Sequence, residues 1–277
     1  MKHKEIEMNS IKKNMKLTIP AFLLIFVSIC VIFMPMLLPE KPSDQSLDEA
    51  YQSPSKMHFF GTDKFGRDLF IRFLHGGRIS LSVGLLSVLF ALAIGVPFGL
   101  LSGYKGGFVD TTMSWILNLF MAFPQFFLLL AIVAIFEPNS VWWIVIVIGA
   151  LSWMDIARIV RNETLSLKER EFISACRIVG LSKKRILFRH VLPNLAVPIL
   201  VYATLMVGNV ILIESSLSFI GLGVQPPTPS WGNIINEGRD VLLSGWWISA
   251  FPGLAIVATV LTVNIFGEEM QRMNAIR

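Results

Sequence analysis

Seven stretches of this 277-residue chain contain no Asp, Glu, Lys or Arg: 17–39, 79–104, 111–136, 138–154, 190–213, 215–236 and 241–267. A helix needs about 20 apolar residues to cross a hydrocarbon core of ~30 Å. Five of the runs satisfy that on length and hydrophobicity. The run 138–154 is short, but it continues through Ile156, Ala157, Ile159 and Val160. Asp155 and Arg158 fall on one face there and can reach headgroups or water. The run 215–236 fails, because its second half, GLGVQPPTPSWG, cannot stay helical in lipid with its backbone satisfied. Six spans follow, at roughly 17–38, 79–102, 112–136, 141–160, 194–216 and 249–267. Composition agrees: 54% of residues are hydrophobic and 16% charged, where a soluble domain carries about 25% charged. The fold class expected is an all-α polytopic membrane protein.

The net charge of +5 would suit a nucleic-acid partner, but its distribution does not. Five Lys precede residue 17, and residues 155–193 hold nine Lys or Arg against four Asp or Glu. That asymmetry is the cytoplasmic signature of membrane proteins. It places the N-terminus, 103–111, 161–193 and the C-terminus inside, and 39–78, 137–140 and 217–248 outside. Segment 39–78, with six charges of each sign, is neutral on the point. The first span follows a basic segment but is too long for a signal sequence and lacks a small-residue cleavage site, so it reads as retained. With Cys30 in a span and Cys176 in a cytoplasmic segment, no disulfide between them is expected.

The loop RNETLSLKEREFISACRIVGLSKKRILFRHVLPN is the most informative stretch. Residues 162–179 suit a helix, Gly180 a left-handed stop, Ser182 a cap for a second helix over 183–190, and Pro193 its end. Taken as residues alone, this is a basic helix–turn–helix under the bilayer, equally able to rest on anionic lipid. Residues 58–81 read as a Gly61-Thr62-Asp63 turn and a Phe-rich interfacial helix, with Asp63–Arg67 and Asp68–Arg72 paired. Glu214 is an ionisable group near the outer end of a span and a functional candidate by default, unless it reaches water or pairs with a neighbouring subunit. Asn118, Gln125 and Asn209 are polar enough to line a path, and equally able to make interhelical hydrogen bonds. Pro124 reads as a kink point.

The loop resembles the conserved cytoplasmic segment of ATP-binding-cassette importer permeases, E-A-A, three residues, G, nine residues, I-x-L-P. Ser174, Ala175 and Cys176 fill the first places, Gly180 follows in register, and His190, Leu192 and Pro193 close it. Ser for Glu, Cys for Ala and His for Ile are departures, the last of them frequent in the peptide-and-nickel branch. HFFGTDKFGRDLFIRFLHGGRISL and ESSLSFIGLGVQPPTPSWG are similar to segments of the second, C-type permease of dipeptide, oligopeptide and nickel importers, and PGLAIVATVLTVNIFGEE to its last span. The final Glu268-Glu269-Met270-Gln271-Arg272 diverges from that type's ending.

The resemblance covers roughly residues 15–269 and implies a type I, MetI-like permease fold. Its parts would be a cytoplasmic tail 1–16, a first helix 17–38, an extracellular segment 39–78, a core 79–267 with the coupling loop 161–193, and a tail 268–277. It implies half of a translocation path for peptides or nickel and metal-chelate complexes in a bacterial plasma membrane. Implied partners are a homologous second permease, two ATPase subunits, an extracellular or lipid-anchored solute-binding protein, and membrane lipid, with no nucleic acid. No G-x-x-x-x-G-K-[ST] loop, H-E-x-x-H or paired-cysteine signature occurs, so no cofactor, metal or enzymatic site is expected in this chain. ATP and Mg are expected in the partner subunits. Two other classes stay open: a lipid-binding membrane scaffold, and an ion-coupled carrier, which would need midplane ionisable residues that the spans almost lack.

Overall fold

The structure is a computed structural model describing residues 2–136 and 140–275. Among these residues the regular structure is helical, with helices α1 Lys2–Leu37, α2 Leu69–Lys105, α3 Gly107–Met121, α4 Gln125–Phe136 and α5 Val141–Lys168, then α6 Glu171–Ile178, α7 Lys183–Ile186, α8 Leu192–Phe219, α9 Trp231–Gly238 and α10 Trp246–Ala275. Five helical stretches are long and apolar enough to cross a membrane, and a sixth crossing exists if α3 and α4 are one span. The expected connection at 137–140 lies, except for Ser140, outside the described residues, as do 276–277 of the expected C-terminal tail.

The kink expected at Pro124 is present and sharp, with α3 and α4 meeting at 76°, while two other expectations about helix ends are corrected. Pro124 has no N–H to continue α3, and its carbonyl instead accepts from Phe127 and Leu128 to start α4. The expected helix over 162–179 is two helices, because α5 runs on to Lys168 and α6 begins at Glu171 after a break. Pro193 ends nothing. It occupies the first turn of α8, where no intrahelical N–H bond is required, and the chain stays helical from Lys183 to Phe219 through a π-turn at Leu187–Val191. The rejection of 215–236 as a crossing agrees with a helix that stops at Phe219 and a non-helical run up to the Ser230 cap of α9.

Lipid supplies no hydrophobic drive for helices to associate, so packing and interhelical polar contacts must hold the bundle. The tightest seam joins α2 to α5. A Cβ added at Gly95, Gly99 or Gly103 would lie 2.6, 2.5 and 2.7 Å from the carbonyl oxygens of Trp153, Ala157 and Arg161. These three glycines, four residues apart, form one stripe on which the backbone of α5 rests. Gly149 of α5 packs in return on the Ser87 carbonyl, and Ser87 Oγ donates to the Val145 carbonyl at 3.2 Å. Val83, Val88, Leu151, Ile156 and Val160 are buried along the seam. By contrast α1 packs on α2 and α10 through Val31 and leaves Phe22, Ile25, Phe26 and Phe33 exposed. That distribution fits a peripheral helix facing acyl chains.

At 1.5 Å per residue, the 37-residue α2 runs about 55 Å, longer than the ~30 Å core. One end of the bundle gathers segments 39–78 and 217–248. The other gathers the α2–α3 turn and the basic segment around α6 and α7. These are called the loop end and the basic end.

If the glycine stripe sets the helix distance, Gly99→Ala should destabilise the detergent-purified chain by about 1–3 kcal/mol, the usual cost of overpacking. Gly253→Ala, whose added Cβ meets nothing within 4 Å, should not. Thermal unfolding of the two variants checks it.

Candidate functional site

At the basic end, α6 is short and held on one side. Ile173 is fully buried in the main core with Ile186, Leu187, Val191 and Leu195. Gly180 has φ +80°, the Leu181 N–H donates to the Cys176 carbonyl, and the Gly180 N–H to that of Arg177. This is a left-handed helix stop, which only glycine adopts without strain. Ser182 then caps α7 by accepting from the Arg185 N–H. With the inner side fixed, the opposite side is uncovered: Ser174, Ala175 and Gly180 are exposed, Ile178 is 87% exposed and Val179 78%. Cys176 is half-buried, as are His190 and Leu192, while Pro193 is exposed. The His190 carbonyl accepts from Asn194 Nδ2 at 2.6 Å. Cys30 and Cys176 are free thiols.

The same end carries a junction of three helices. Arg161 of α5 meets Asp110 of α3 through Nε–Oδ1 at 2.5 Å and Nη2–Oδ2 at 2.7 Å, and Ser102 of α2 donates to Oδ1 at 2.6 Å. The bidentate fork fixes both distance and orientation.

At the loop end, four charged side chains interlock. Asp63 accepts from Arg67 Nε at 2.6 Å and also from Arg72 Nη1, and both arginines reach Glu237 of α9 at 2.9 Å. All four side chains are largely covered, and their formal charges cancel. The expected Asp68–Arg72 pair does not form. Asp68 caps α2 at the Ile71 N–H and binds His58 Nδ1 at 2.8 Å, which leaves Arg72 for Asp63 and Glu237. The helix expected to lead into the second span is present from Leu69 and continuous with it, while residues 58–68 form turns and an isolated bridge between Thr62 and Asp68. The phenylalanines turn partly inward, with Phe60 stacked on Phe251 of α10 at 4.0 Å and edge-on to Phe70 and Phe73.

Glu214 does not reach water. It is completely buried, accepting from Ser80 Oγ at 2.9 Å and Ser218 Oγ at 2.7 Å, with Ser215 Oγ at 3.4 Å. Ser80 Oγ also accepts from the Trp231 N–H at 3.2 Å, so one carboxyl and one hydroxyl tie α2, α8 and α9 together. The two loop-end sequence motifs are therefore in contact. A Cβ at Gly77 would strike the Trp231 ring at 2.8 Å, and Trp231 Nε1 donates to the Phe73 carbonyl.

A family model described as "Binding-protein-dependent transport system inner membrane component" matches residues 95–275. The chain belongs to this permease family. Among its relatives is the dipeptide transport system permease protein DppC of Alkalihalophilus pseudofirmus, 40% identical over 94% of this chain and 86% of that protein. The oligopeptide transport system permease protein OppC of Haemophilus influenzae is 38% identical over 92% and 81%. Among solved structures, a chain of the inward-facing MetNI methionine ABC transporter superposes with a TM-score of 0.59 at 22% identity, covering 74% of this chain and 97% of that one. That likeness establishes the MetI-like fold. The family model begins inside α2, but the alignment with DppC spans 262 residues and so takes in the loop-end motif at 58–81. The chain is thus the permease subunit of an ATP-binding-cassette importer.

The permease does not bring its four sequence-derived path candidates together. Asn118 on α3 and Asn209 on α8 lie on exposed faces. Gln125 is half-covered and donates to Ser152 Oγ of α5 at 3.4 Å, an interhelical contact. Glu214 is enclosed by serines. Reading the sequence missed Glu237 as the partner of both arginines, the Asp110–Arg161 fork and the glycine stripe. The first two join residues 170, 165 and 51 positions apart, beyond any local pattern. The stripe did carry a signal, small residues at every fourth position.

Asp63→Asn should leave two buried guanidinium groups sharing one carboxylate and cost the permease about 3–5 kcal/mol. Arg239→Gln, which removes an exposed pair with Asp240, should stay within about 0.5 kcal/mol. Thermal unfolding of each purified variant makes the comparison.

Proposed function

We propose that this permease is the second translocation subunit of a bacterial peptide importer, and that its α6 is the helix through which partner ATPase subunits drive it. One observation carries the coupling role: a short helix anchored by a single buried Ile173 presents Phe172, Ile178 and Val179 uncovered at the basic end, stopped by a left-handed glycine. Exposed apolar groups rimmed by cations suit insertion into a protein groove. Ser174, Ala175 and Cys176 are small, so a partner backbone can approach them closely. His190, Leu192 and Pro193 form the root of α8, which a displacement of α6 would push directly.

The assembly proposed has a homologous second permease beside this one and two ATPase subunits beneath, which hold ATP and Mg. This chain has no phosphate-binding G-x-x-x-x-G-K-[ST] sequence of its own. An extracellular or lipid-anchored solute-binding protein would release substrate at the loop end, where Met57, Phe59 and Leu243 are exposed. Both termini would be cytoplasmic in a multi-pass plasma-membrane protein, the side assigned by the basic residues around α6. Short peptides are the substrate class favoured by the names of the dipeptide and oligopeptide relatives. Nickel and metal chelates, which the motifs alone left open, gain no such support. Asn118, Gln125 and Asn209 remain our candidates for the path, which the second permease would complete. Glu214 we assign to holding the outer ends of α2, α8 and α9 in register.

Transport then requires a rigid-body motion passed from α6 to α5 and α8, and from α5 to α2 along the glycine stripe. Gly180→Arg meets nothing within 4 Å of its Cβ position but strains the left-handed stop at φ +80°, a cost of about 1–2 kcal/mol that should leave insertion intact. It should nevertheless reduce binding-protein-dependent peptide uptake at least tenfold and release the ATPase subunits during co-purification. Normal uptake by this variant would remove the coupling assignment. A membrane scaffold would co-purify no ATPase in either form.

A further inference from the structure

Beside the coupling helix lies a cavity of about 400 Å³ that transport by the proposed mechanism does not use. Its lining includes Tyr104 and Lys105 at the end of α2, Lys168 at the end of α5, Arg177 of α6, and Lys183 and Ile186 of α7. Four cations from four helices converge here. None of the four forms an ion pair with a carboxylate among the described residues, although Glu169 and Glu171 stand on the adjoining segment. Like charges gathered without a counter-charge repel one another, so an anion placed among them is stabilised by all four.

The level of the cavity narrows what that anion is. Lys105 is the last residue of a membrane-spanning helix, and the chain turns back into α3 only two residues later. Lys168 belongs to a helix that continues below the apolar span, yet its Nζ lies 3.4 Å from where a Cβ on Gly106 would stand, at that same turn. Phe108, two residues beyond, is 85% exposed, an apolar group placed to enter the lipid boundary. The mouth of the cavity therefore sits at headgroup depth, where basic pockets between spans take the head groups of anionic lipids.

We infer that this cavity binds the phosphate group of an anionic ligand, and that its occupant is the headgroup of an acidic phospholipid such as phosphatidylglycerol. Bound there, the lipid phosphate bridges the ends of α2 and α5 to α6 and α7. The occupant would thus steady the root of the coupling segment.

Native mass spectrometry of the detergent-purified full chain tests it, with phosphatidylglycerol and phosphatidylcholine offered separately. The expected result is selective retention of phosphatidylglycerol, weakened about tenfold or more in the Lys105→Gln/Lys168→Gln double variant. It should be unchanged in Lys184→Gln/Arg189→Gln, which removes the same charge from exposed positions outside the cavity. A second arm adds inorganic phosphate. Retained phosphatidylglycerol that phosphate displaces only in large excess assigns the site to lipid, whereas phosphate binding with no phosphatidylglycerol retained supports the anion site and overturns the lipid as its occupant. Equal retention of the two lipids, or equal retention by the two double variants, overturns the site. So does unchanged lipid retention in Lys105→Gln/Lys168→Gln accompanied by loss of co-purifying ATPase, which would give the cations to a protein interface. Circular dichroism and thermal unfolding of both double variants keep misfolding from mimicking a loss of binding.

Discussion

Everything in this molecule depends on how closely the backbones of α2 and α5 approach. Inside a bilayer, apolar side chains gain nothing from leaving lipid for one another, so two helices stay together only where surfaces fit and polar groups meet. Gly95, Gly99 and Gly103 remove the side chains that would hold α5 away, and carbonyl oxygens of α5 fill the space. The other helices take their places from this pair. α8 meets α2 where Gly84 faces Ile211, the bent α3–α4 pair is tethered through Asp110 and Gln125 to α5, and α1 and α10 close the periphery.

The seam gains its significance from what is fixed at its two ends. At the loop end, the Asp63, Arg67, Arg72 and Glu237 cluster and the serine-lined Glu214 lock the start of α2 to α8 and α9. Burying these charges is tolerable because each is paired with an opposite charge; among the described residues, Arg72 Nε alone of the cluster's buried guanidinium donors stays without a partner. The cost of breaking one pair, rather than its net contribution, makes the cluster stiff. At the basic end, α6 is attached through buried Ile173 and half-buried Cys176, and its opposite side is open. In the mechanism proposed, a stiff cap, a tight seam and an exposed lever would together make a part that is pushed at one end and responds at the other. Neither nucleotide chemistry nor a catalytic side chain is required of it.

Local patterns carried much of this in the sequence. Charge-free runs located the spans, the Gly and Pro density of 220–230 excluded a seventh, and Gly180 and Ser182 marked a real stop and a real cap. Helix ends were harder wherever the helix outlasted its apolar run. α5 runs past its hydrophobic stretch to Lys168, and a π-turn carries helix through His190 to Pro193. An i,i+4 rule placed Arg72 with Asp68, but Asp68 was needed as a helix cap, and a carboxylate from far along the chain took the arginine instead. Glu214 illustrates the same gap: its chemistry was visible, yet only the fold shows that Ser80 and Ser218 enclose it. The path candidates fared differently again: in the assembly proposed, one permease would supply only part of the pathway and would not surround the lumen by itself.

The central claim is that work enters through the uncovered side of α6 from the cytoplasm. The most direct test places a single cysteine at Ile178, with Cys30 and Cys176 replaced by serine, and probes it with a membrane-impermeant maleimide. The account predicts no labelling in intact cells, rapid labelling in inside-out vesicles stripped of the ATPase subunits, and protection when those subunits are restored. Labelling of intact cells from outside, or labelling indifferent to the ATPase subunits, would contradict it.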